Sequence, residues 1–446
     1  MSTETCHLAF TIPPGSVLAG VPVGDIKLPT PYVSYGLPFT ESCAHHIKHT
    51  FDCKRVFIIA SRTLSRETDE LEKLIEKIGS DHVAHVHKGI TPHTPWSEVL
   101  EIAAEARNVK ADCVVTLGAG SISDGAKLVV LALANGIETL EEFAKYSLGS
   151  KEAPSSVKEP TTPLIMIPTT LSGGEVRLPV PLDAGKWLIP FLWSSIPISL
   201  EAPMIKRTIN KVSCTRGWAP IWSSLIQLFP RLPLQYHWLS TGFRSVDHCV
   251  EAFCAVESTP ESDEHAESGL RKLIPNLLRT KQDPDDLEAR LQCQLGVIDA
   301  MNNVRAGIPM GGSHAIGHQL GPLGVPHGVT SCIMCPEVMK FNWKHGQSNE
   351  KIRQKQNKLK EILWSDGYVD KVLQGAGKDK ATSDLGDLLD AIVRELGLPR
   401  KLTEMKISRE VLPTLAERAL SDFWAATNPV PLAKSEQILE ILQSAY

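Results

Sequence analysis

Four short apolar runs, alternating with stretches of helical period, constrain this 446-residue chain more than any other feature. The runs are "KRVFIIAS" (54–61), "SDHVAHVHKGI" (80–90), "ADCVVTLG" (111–118) and "LIMIPTT" (164–170). Between them lie "RETDELEKLIEKIG" (66–79), "PWSEVLEIAAEARNVK" (95–110) and "SISDGAKLVVLALANG" (121–136), followed by a polar, Pro-rich connector (149–163). A strand that returns to its sheet through a helix runs parallel to its predecessor, so the alternation predicts a parallel α/β sheet. Beyond about Pro233 strand-like runs nearly vanish. Helical segments such as "STGFRSVDHCVEAFCAVE" (240–257), "HAESGLRKLIPNLL" (265–278) and "DDLEARLQCQLGVIDAMNNVRAG" (285–307) take over. The expected fold is an α/β N-terminal domain plus an all-α C-terminal domain, in keeping with a chain too long for one ordinary core.

Composition removes several functional classes. A net charge of −5 gives no electrostatic reason to expect nucleic acid or an anionic membrane as a partner. A small-molecule substrate is expected instead. The ten cysteines follow no disulfide-framework rhythm, which points to reduced thiols and a cytoplasmic protein. Cys332 and Cys335 form a C-x-x-C without a second pair, and are read as packing rather than as a zinc or redox site. The opening "MSTETCHLAFTIPPGS" has neither a cationic start nor an apolar run, so no secretory signal is expected. "WLIPFLWSSIPISL" (187–200) is shorter than a membrane span and holds two prolines.

Two motifs carry chemistry. In "VVTLGAGSISDGAKLV" a strand passes through a Gly-rich turn into a helix. Gly118 and Gly120 allow a tight turn and close approach of a ligand. The N–H groups of Ser121 and Ile122 would then open the helix towards an anion, and Asp124 can bind a polar group there. In "GGSHAIGHQLGPLGVPHG" (311–328), His314 and His318 are spaced i, i+4 and share a helix face, and His327 follows a Gly/Pro-broken loop. Three imidazoles so close suggest a metal.

Taken in order, "GAGSISDGAK", "IPTT", "TG…DH..EA", "HAIGHQLG" and "PHG…CIMCPEVMKFN" resemble the iron-containing (group III) alcohol dehydrogenases, and most of all their maleylacetate-reductase-like branch. The resemblance runs from about Tyr35 to the C-terminus, except for Val176 to about Leu232. It implies a dinucleotide-binding α/β domain followed by a helical, metal-bearing domain, the dehydroquinate synthase-like fold. By this resemblance Gly118, Gly120 and Ser121 hold the pyrophosphate of NAD or NADP, with Asp124, Thr169 and Thr170 around the nicotinamide ribose. The first strand ends in Ser61 and Arg62 where an Asp often accepts from the adenosine ribose, so a 2′-phosphate is not repelled and Arg62 can pair with it.

Metal-dependent members bind one divalent ion through an Asp and a His at i, i+4, plus two later histidines. Here His248, His314 and His327 match the histidines, and His318 matches the non-ligating one of the active site. The Asp position is Arg244, whose guanidinium cannot coordinate. Asp247 lies about 100° round the helix from His248 and is placed at i, i+3 to pair with Arg244. Three neutral imidazoles and a water could still hold iron or zinc. The maleylacetate-reductase-like branch also lacks the Asp and works without metal. There Arg244 would orient a carboxylate or carbonyl and stabilise the developing alkoxide, and His318 or His248 would give the proton.

The domains are therefore expected at 1–175 (NAD(P)-binding) and 233–446 (catalytic), with an anomalous segment, 176–232, between them. That segment has four tryptophans, many prolines and no clean period, where the family has a strand of the type "LVI-DP". Reading Met204 to Leu228 one base back, with free codon choice, permits "DDKTHHKQSLMHEGMGPHLVIFDPT", which contains that motif. We read the segment as a frame or splicing error and expect few regular elements in it and no such strand. Four functions remain open: an NAD(P)H-dependent reductase of a small carbonyl or enol acid; an iron- or zinc-dependent alcohol dehydrogenase; a sugar-phosphate cyclase or lyase; and an inactive remnant. The family often dimerises, so a homodimer is possible.

Overall fold

The computed structural model describes residues 4–8, 17–18, 21–22, 32–91, 94–146, 157–158, 160–175, 180–182, 186–188, 221–224 and 235–446. The chain divides into two compact units, residues 1–169 with 174–228 and residues 170–173 with 229–446.

The first unit is built on one seven-stranded sheet. Its strands are β1 (Thr5–Leu8), β2 (Tyr32–Tyr35), β3 (Val56–Ala60), β4 (Val83–Lys88), β5 (Cys113–Gly118), β6 (Leu164–Pro168) and β7 (Ile221–Ser224). They lie in the order β1-β2-β7-β6-β5-β3-β4, parallel except for the β1–β2 pair. Every residue of β3, β5 and β6 is buried. Burial on both faces requires helices on both faces, and it explains why these runs are apolar throughout rather than alternating. Helices α1 (Glu70–Ile78), α2 (Trp96–Asn108) and α3 (Gly120–Asn135) connect the strands. The helix expected across 66–79 is broken. A short helix, Arg62–Glu67, ends at Thr68, whose backbone is extended and whose hydroxyl donates to the Leu64 carbonyl, before α1 starts at Glu70.

The chain steps outward from β3 to β4, then returns to the other side of β3 for β5, β6 and β7. That reversal leaves a crevice beyond the carboxyl ends of β3 and β5, the place where doubly wound sheets bind ligands. Ser61 and Gly118 stand at those two ends, and Ser61 N–H donates to the Leu117 carbonyl at 2.8 Å.

Strand β7 corrects one part of the expectation for residues 176–232, that no strand stands in the place of the "LVI-DP" motif. The slot between β2 and β6 is filled by Ile221–Ser224, in parallel register with both neighbours. Ladder pairing is made by the backbone, so an open slot between two strands accepts extended chain whatever its side-chain pattern. Val180–Leu182 and Lys186–Leu188 form a further antiparallel pair. The rest of that segment, 189–200 of the apolar run and 149–156 of the connector lie outside the described residues.

The second unit is helical: α4 (Gln235–Cys254), α5 (Pro260–Gln282), α6 (Leu287–Arg305), α7 (Gly312–Leu320), α8 (His327–His345), α9 (Leu385–Leu396), α10 (Leu412–Leu420) and α11 (Phe423–Thr427), with further helices that include Glu350–Ser365. Among the described residues no helix is long and apolar enough to cross a membrane. Helix α4 is buried almost all round, and its buried polar residues are Ser240, Arg244, Ser245, Asp247, His248 and Glu251. Positions 244, 248 and 251 fall at i, i+4 and i+7, one polar stripe along the helix, with Asp247 beside it. Such a stripe costs folding energy unless it is paired, which marks it as the place to look for function.

Gly328 sets the approach of α8 to α4. A Cβ there would stand 2.8 Å from the Ser240 carbonyl carbon and 2.9 Å from the Thr241 nitrogen. Both are backbone atoms that cannot swing aside. Gly328→Ala is therefore expected to lower stability by about 1–3 kcal/mol, read as a fall in the urea midpoint at unchanged m-value. An unchanged midpoint would show that the two helices can separate freely.

Candidate functional site

In the first unit the Gly-rich turn sits at the crevice. Ala119 is the N-cap of α3, so the helix begins at Gly120 rather than at Ser121. This corrects the expected anion donors. Ile122 N–H already donates to the Ala119 carbonyl at 2.9 Å, so the N–H groups of Gly120 and Ser121 are the ones left at the helix start. Neither Gly118 nor Gly120 lies in the left-handed region. The need for small residues here is steric: a Cβ on Gly174 would come within 3.3 Å of the Gly120 Cα.

Thr169 N–H donates to the Gly118 carbonyl at 3.0 Å, which joins the end of β6 to the end of β5. Asp124 is buried beside them and its Oδ1 accepts from Lys127 Nζ at 3.2 Å. The same ammonium donates to the Gly174 carbonyl. Glu175 is buried in this group, and desolvation pushes its carboxyl up to about 7 against the pull of Lys127. Oδ2 of Asp124 is buried with no hydrogen-bond partner among the described residues. A ribose hydroxyl would satisfy it, so the turn, the helix start and this oxygen fit a dinucleotide.

Ser61 caps the helix Arg62–Glu67, with its Oγ accepting from Leu64 N–H at 3.4 Å. Arg62 donates from Nε to the Lys88 carbonyl at 2.8 Å and stands 3.6 Å from Glu98. Its charge is thus partly answered before any phosphate arrives. Thr94, Lys127 and Glu175 were not found from the sequence. Thr94 reaches the Ser121 carbonyl at 3.3 Å from a loop with no motif. Lys127 stood inside a quoted motif and Glu175 just beyond one, and only their burial singles them out.

In the second unit the histidines come together as a row. The rings of His248 and His314 are 4.4 Å apart, those of His314 and His318 6.5 Å, and those of His318 and His327 5.8 Å, nearly parallel. Glu251 fastens the row. Its two oxygens accept from Gly311 N–H at 2.9 Å and Ser313 N–H at 2.8 Å, and the His314 Nδ1 lies 2.7 Å away. Because a carboxylate holds Nδ1, the Nε2 of His314 is the nitrogen presented elsewhere. Asp247 accepts from the Ser313 hydroxyl at 2.7 Å and faces His314 at 3.6 Å. The expected pair with Arg244 is therefore not the partner this carboxylate takes. His248 Nδ1 lies 3.4 Å from Met310 Sδ. Thr170, on the loop 170–173, reaches Ser172 Oγ, and Ser245 and Thr241 of α4 hold the Leu171 backbone. Cys332 and Cys335 are buried in α8 and burial pushes both thiols well up, as structural cysteines require.

Two metal arrangements can be tested on these residues. The first is His248, His314 and His327 with position 244 as the acidic ligand. Arg244 is there instead, 5% exposed on the same stripe, and a buried guanidinium opposes a divalent ion. The second is Asp247, Glu251 and His314, whose ligand atoms lie within 4.8 Å of one another. There the Glu251 oxygens are already taken by two backbone N–H groups, and His314 Nδ1 serves as a hydrogen-bond partner rather than a lone-pair donor. At this second set a divalent ion would have to compete with the partners that Glu251 and His314 already hold.

Burial raises the Asp247 carboxyl from 3.8 to about 6, with the neighbouring Glu251 adding to it. Between those values the folded chain holds a proton that the unfolded chain has released. The contribution of this group to stability therefore declines as pH rises from about 4 to about 6. Asp247→Asn keeps an acceptor for the Ser313 hydroxyl, so it should fold and show a flatter pH dependence across that window, measured as urea midpoints. An unchanged slope would remove Asp247 from this account. In the first unit, Gly174→Val should weaken NADPH binding at least tenfold in a fluorescence titration while the circular dichroism spectrum holds. Parental affinity would mean that the turn at Gly120 is not the cofactor's seat.

With this geometry in view, comparisons with known proteins are informative. The model of the iron-containing alcohol dehydrogenase family matches residues 37–177, and that of the family's C-terminal region matches 239–446. Dehydrogenase FUM7 of Gibberella moniliformis is 35% identical over 435 residues, covering 93% of this chain and 96% of that protein. Among solved structures, the iron-containing alcohol dehydrogenase from Thermococcus thioreducens aligns at a TM-score of 0.67 and 21% identity, covering 93% of this chain and 97% of that one. Maleylacetate reductase from Agrobacterium tumefaciens aligns at 0.61 and 20% identity, covering 91% and 93%. These two show the fold. The stretch between the two matches, 178–238, overlies the segment whose sequence pattern breaks off. The chain is an oxidoreductase and belongs to the iron-containing alcohol dehydrogenase family.

Proposed function

We propose that the protein is an NAD(P)H-dependent reductase of a small carbonyl or enol acid, of the maleylacetate type, working without a bound metal. The observation that carries this reading is Arg244. A permanently charged side chain is buried on α4, one turn before His248, on the stripe that bears the histidine row. A fixed cation there takes the place of a metal ion's charge.

The dinucleotide, when bound, supplies the hydride. Arg244 holds a carboxylate of the substrate or its carbonyl oxygen, and it stabilises the negative charge that grows on that oxygen. His318 gives the proton from Nε2, since its Nδ1 is held at 2.9 Å by a carboxylate, Asp422. His248 and His314 are deeper and serve to shape the pocket. Reduced thiols favour the cytoplasm as the place of action. A second reading, a metal-dependent alcohol dehydrogenase, is favoured by the closeness of Asp247, Glu251 and His314.

Two measurements separate the readings. Parent enzyme dialysed against a chelator is expected to keep its rate of NADPH oxidation with maleylacetate and to hold no stoichiometric iron or zinc. Metal-dependent turnover would establish the second reading. Arg244→Asp should lower kcat/KM for maleylacetate by about 10²–10³-fold, the scale of losing one stabilising donor, and should raise the affinity for zinc. Unchanged turnover would make Arg244 structural.

A further inference from the structure

Asp422 stands outside every motif quoted above, yet it meets His318, a half-buried member of the histidine row. Its side chain is 1% exposed, and that of His318 is 28% exposed. Its two oxygens have different tasks. Oδ1 accepts from Trp424 N–H at 3.0 Å, which caps helix α11. Oδ2 lies 2.9 Å from His318 Nδ1. On its far face the His318 ring is stacked on His327, with an interplanar angle of 10°. The ring is thus held in plane by one neighbour and in rotation by the other.

We propose that Asp422 is a positioning residue for the reduction. It keeps a proton on His318 Nδ1, and so makes Nε2 the atom that carries the exchangeable proton to the substrate oxygen. A carboxylate offers only acceptors, so the ring nitrogen facing it must donate. When His318 Nε2 gives its proton to the alkoxide left by hydride addition to a carbonyl, or to the enolate left by hydride addition to a conjugated enol acid, the ring is left neutral with hydrogen on Nδ1, a state the carboxylate continues to hold. The inference rests on the reading of His318 as proton donor. The bland alternative is that Asp422 is only a helix cap.

The cap makes the test sharp. In Asp422→Asn, Trp424 N–H still requires an oxygen at the Oδ1 place, so the amide NH2 must fall opposite His318 Nδ1. Nδ1 must then accept, and the neutral ring carries its hydrogen on Nε2. Protonating that ring would set two donors face to face. With ¹⁵N-histidine-labelled protein at alkaline pH, and the signal assigned through its loss in His318→Gln, the parent should show hydrogen on Nδ1 and Asp422→Asn should show it on Nε2. Turnover of maleylacetate should fall by about 10²–10⁴-fold in kcat, with KM for NADPH and maleylacetate and the melting temperature little changed. Asp422→Ala loses the cap and should melt lower, yet it should retain more activity than Asn, because it leaves the ring free to adopt either state. A purely structural Asp422 predicts the reverse ranking.

Hydrogen on Nε2 in the parent, an unmoved tautomer in Asp422→Asn, or an inverted tautomer with unchanged kcat would each overturn the proposal. If the parent does not reduce maleylacetate, the substrate assignment fails. The tautomer measurement still decides the role of Asp422, and kcat is then read with whichever aldehyde or oxo acid of a panel is turned over.

Discussion

The Glu251 carboxylate is the fastening on which the histidine row depends. It takes two backbone N–H groups from the first turn of α7 and holds the His314 ring at 2.7 Å. A helix start leaves N–H groups without partners, and a buried carboxylate needs donors. Each supplies what the other lacks, so α7 is locked to α4 at one register. Burial still pushes the Glu251 carboxyl up to about 7, opposed by those same N–H groups. The site therefore stands on a group whose ionisation is costly and whose removal would leave several donors unanswered.

A parallel economy operates in the other unit. Lys127 joins Asp124, on the helix that opens the crevice, to the carbonyl of Gly174, on the loop that follows β6. Together with the Thr169–Gly118 bond it fixes the loop against the phosphate turn. The turn itself needs little chemistry of its own. In the proposed reading, helix direction and the ends of two parallel strands make the anion site, and the lysine keeps it shaped.

In the proposed reading, the arginine at position 244 gives the family fold a different electrostatic logic. A divalent ion and an arginine both offer positive charge to an oxygen, but an arginine brings a planar set of donors and needs no ligands of its own. On that reading the imidazoles of the histidine row need not act as metal ligands. One of them, His318, faces a carboxylate through Nδ1 and sits half-exposed, the arrangement of a proton carrier rather than of a ligand.

Much of the fold was legible in the chain. Runs such as 54–61, 111–118 and 164–170 had to be buried parallel strands, since nothing else lets an all-apolar run alternate with amphipathic helices. The same holds for His248, His314, His318 and His327, whose spacing on three helices was visible as motifs in order. Local pattern fixed these because burial and helical period act over a few residues. Strand β7 was not legible: its place comes from an empty backbone slot between β2 and β6, which no side-chain pattern announces. Nor were Asp422, Lys127 and Glu175, whose roles arise from contacts across 104, 47 and similar numbers of residues. The sequence by itself determined most of the parallel strands, the helices and the order of the histidine motifs. Only the tertiary structure decided which carboxylate answers which imidazole, because pairing in a desolvated interior depends on distance in space, and the chain order does not contain it.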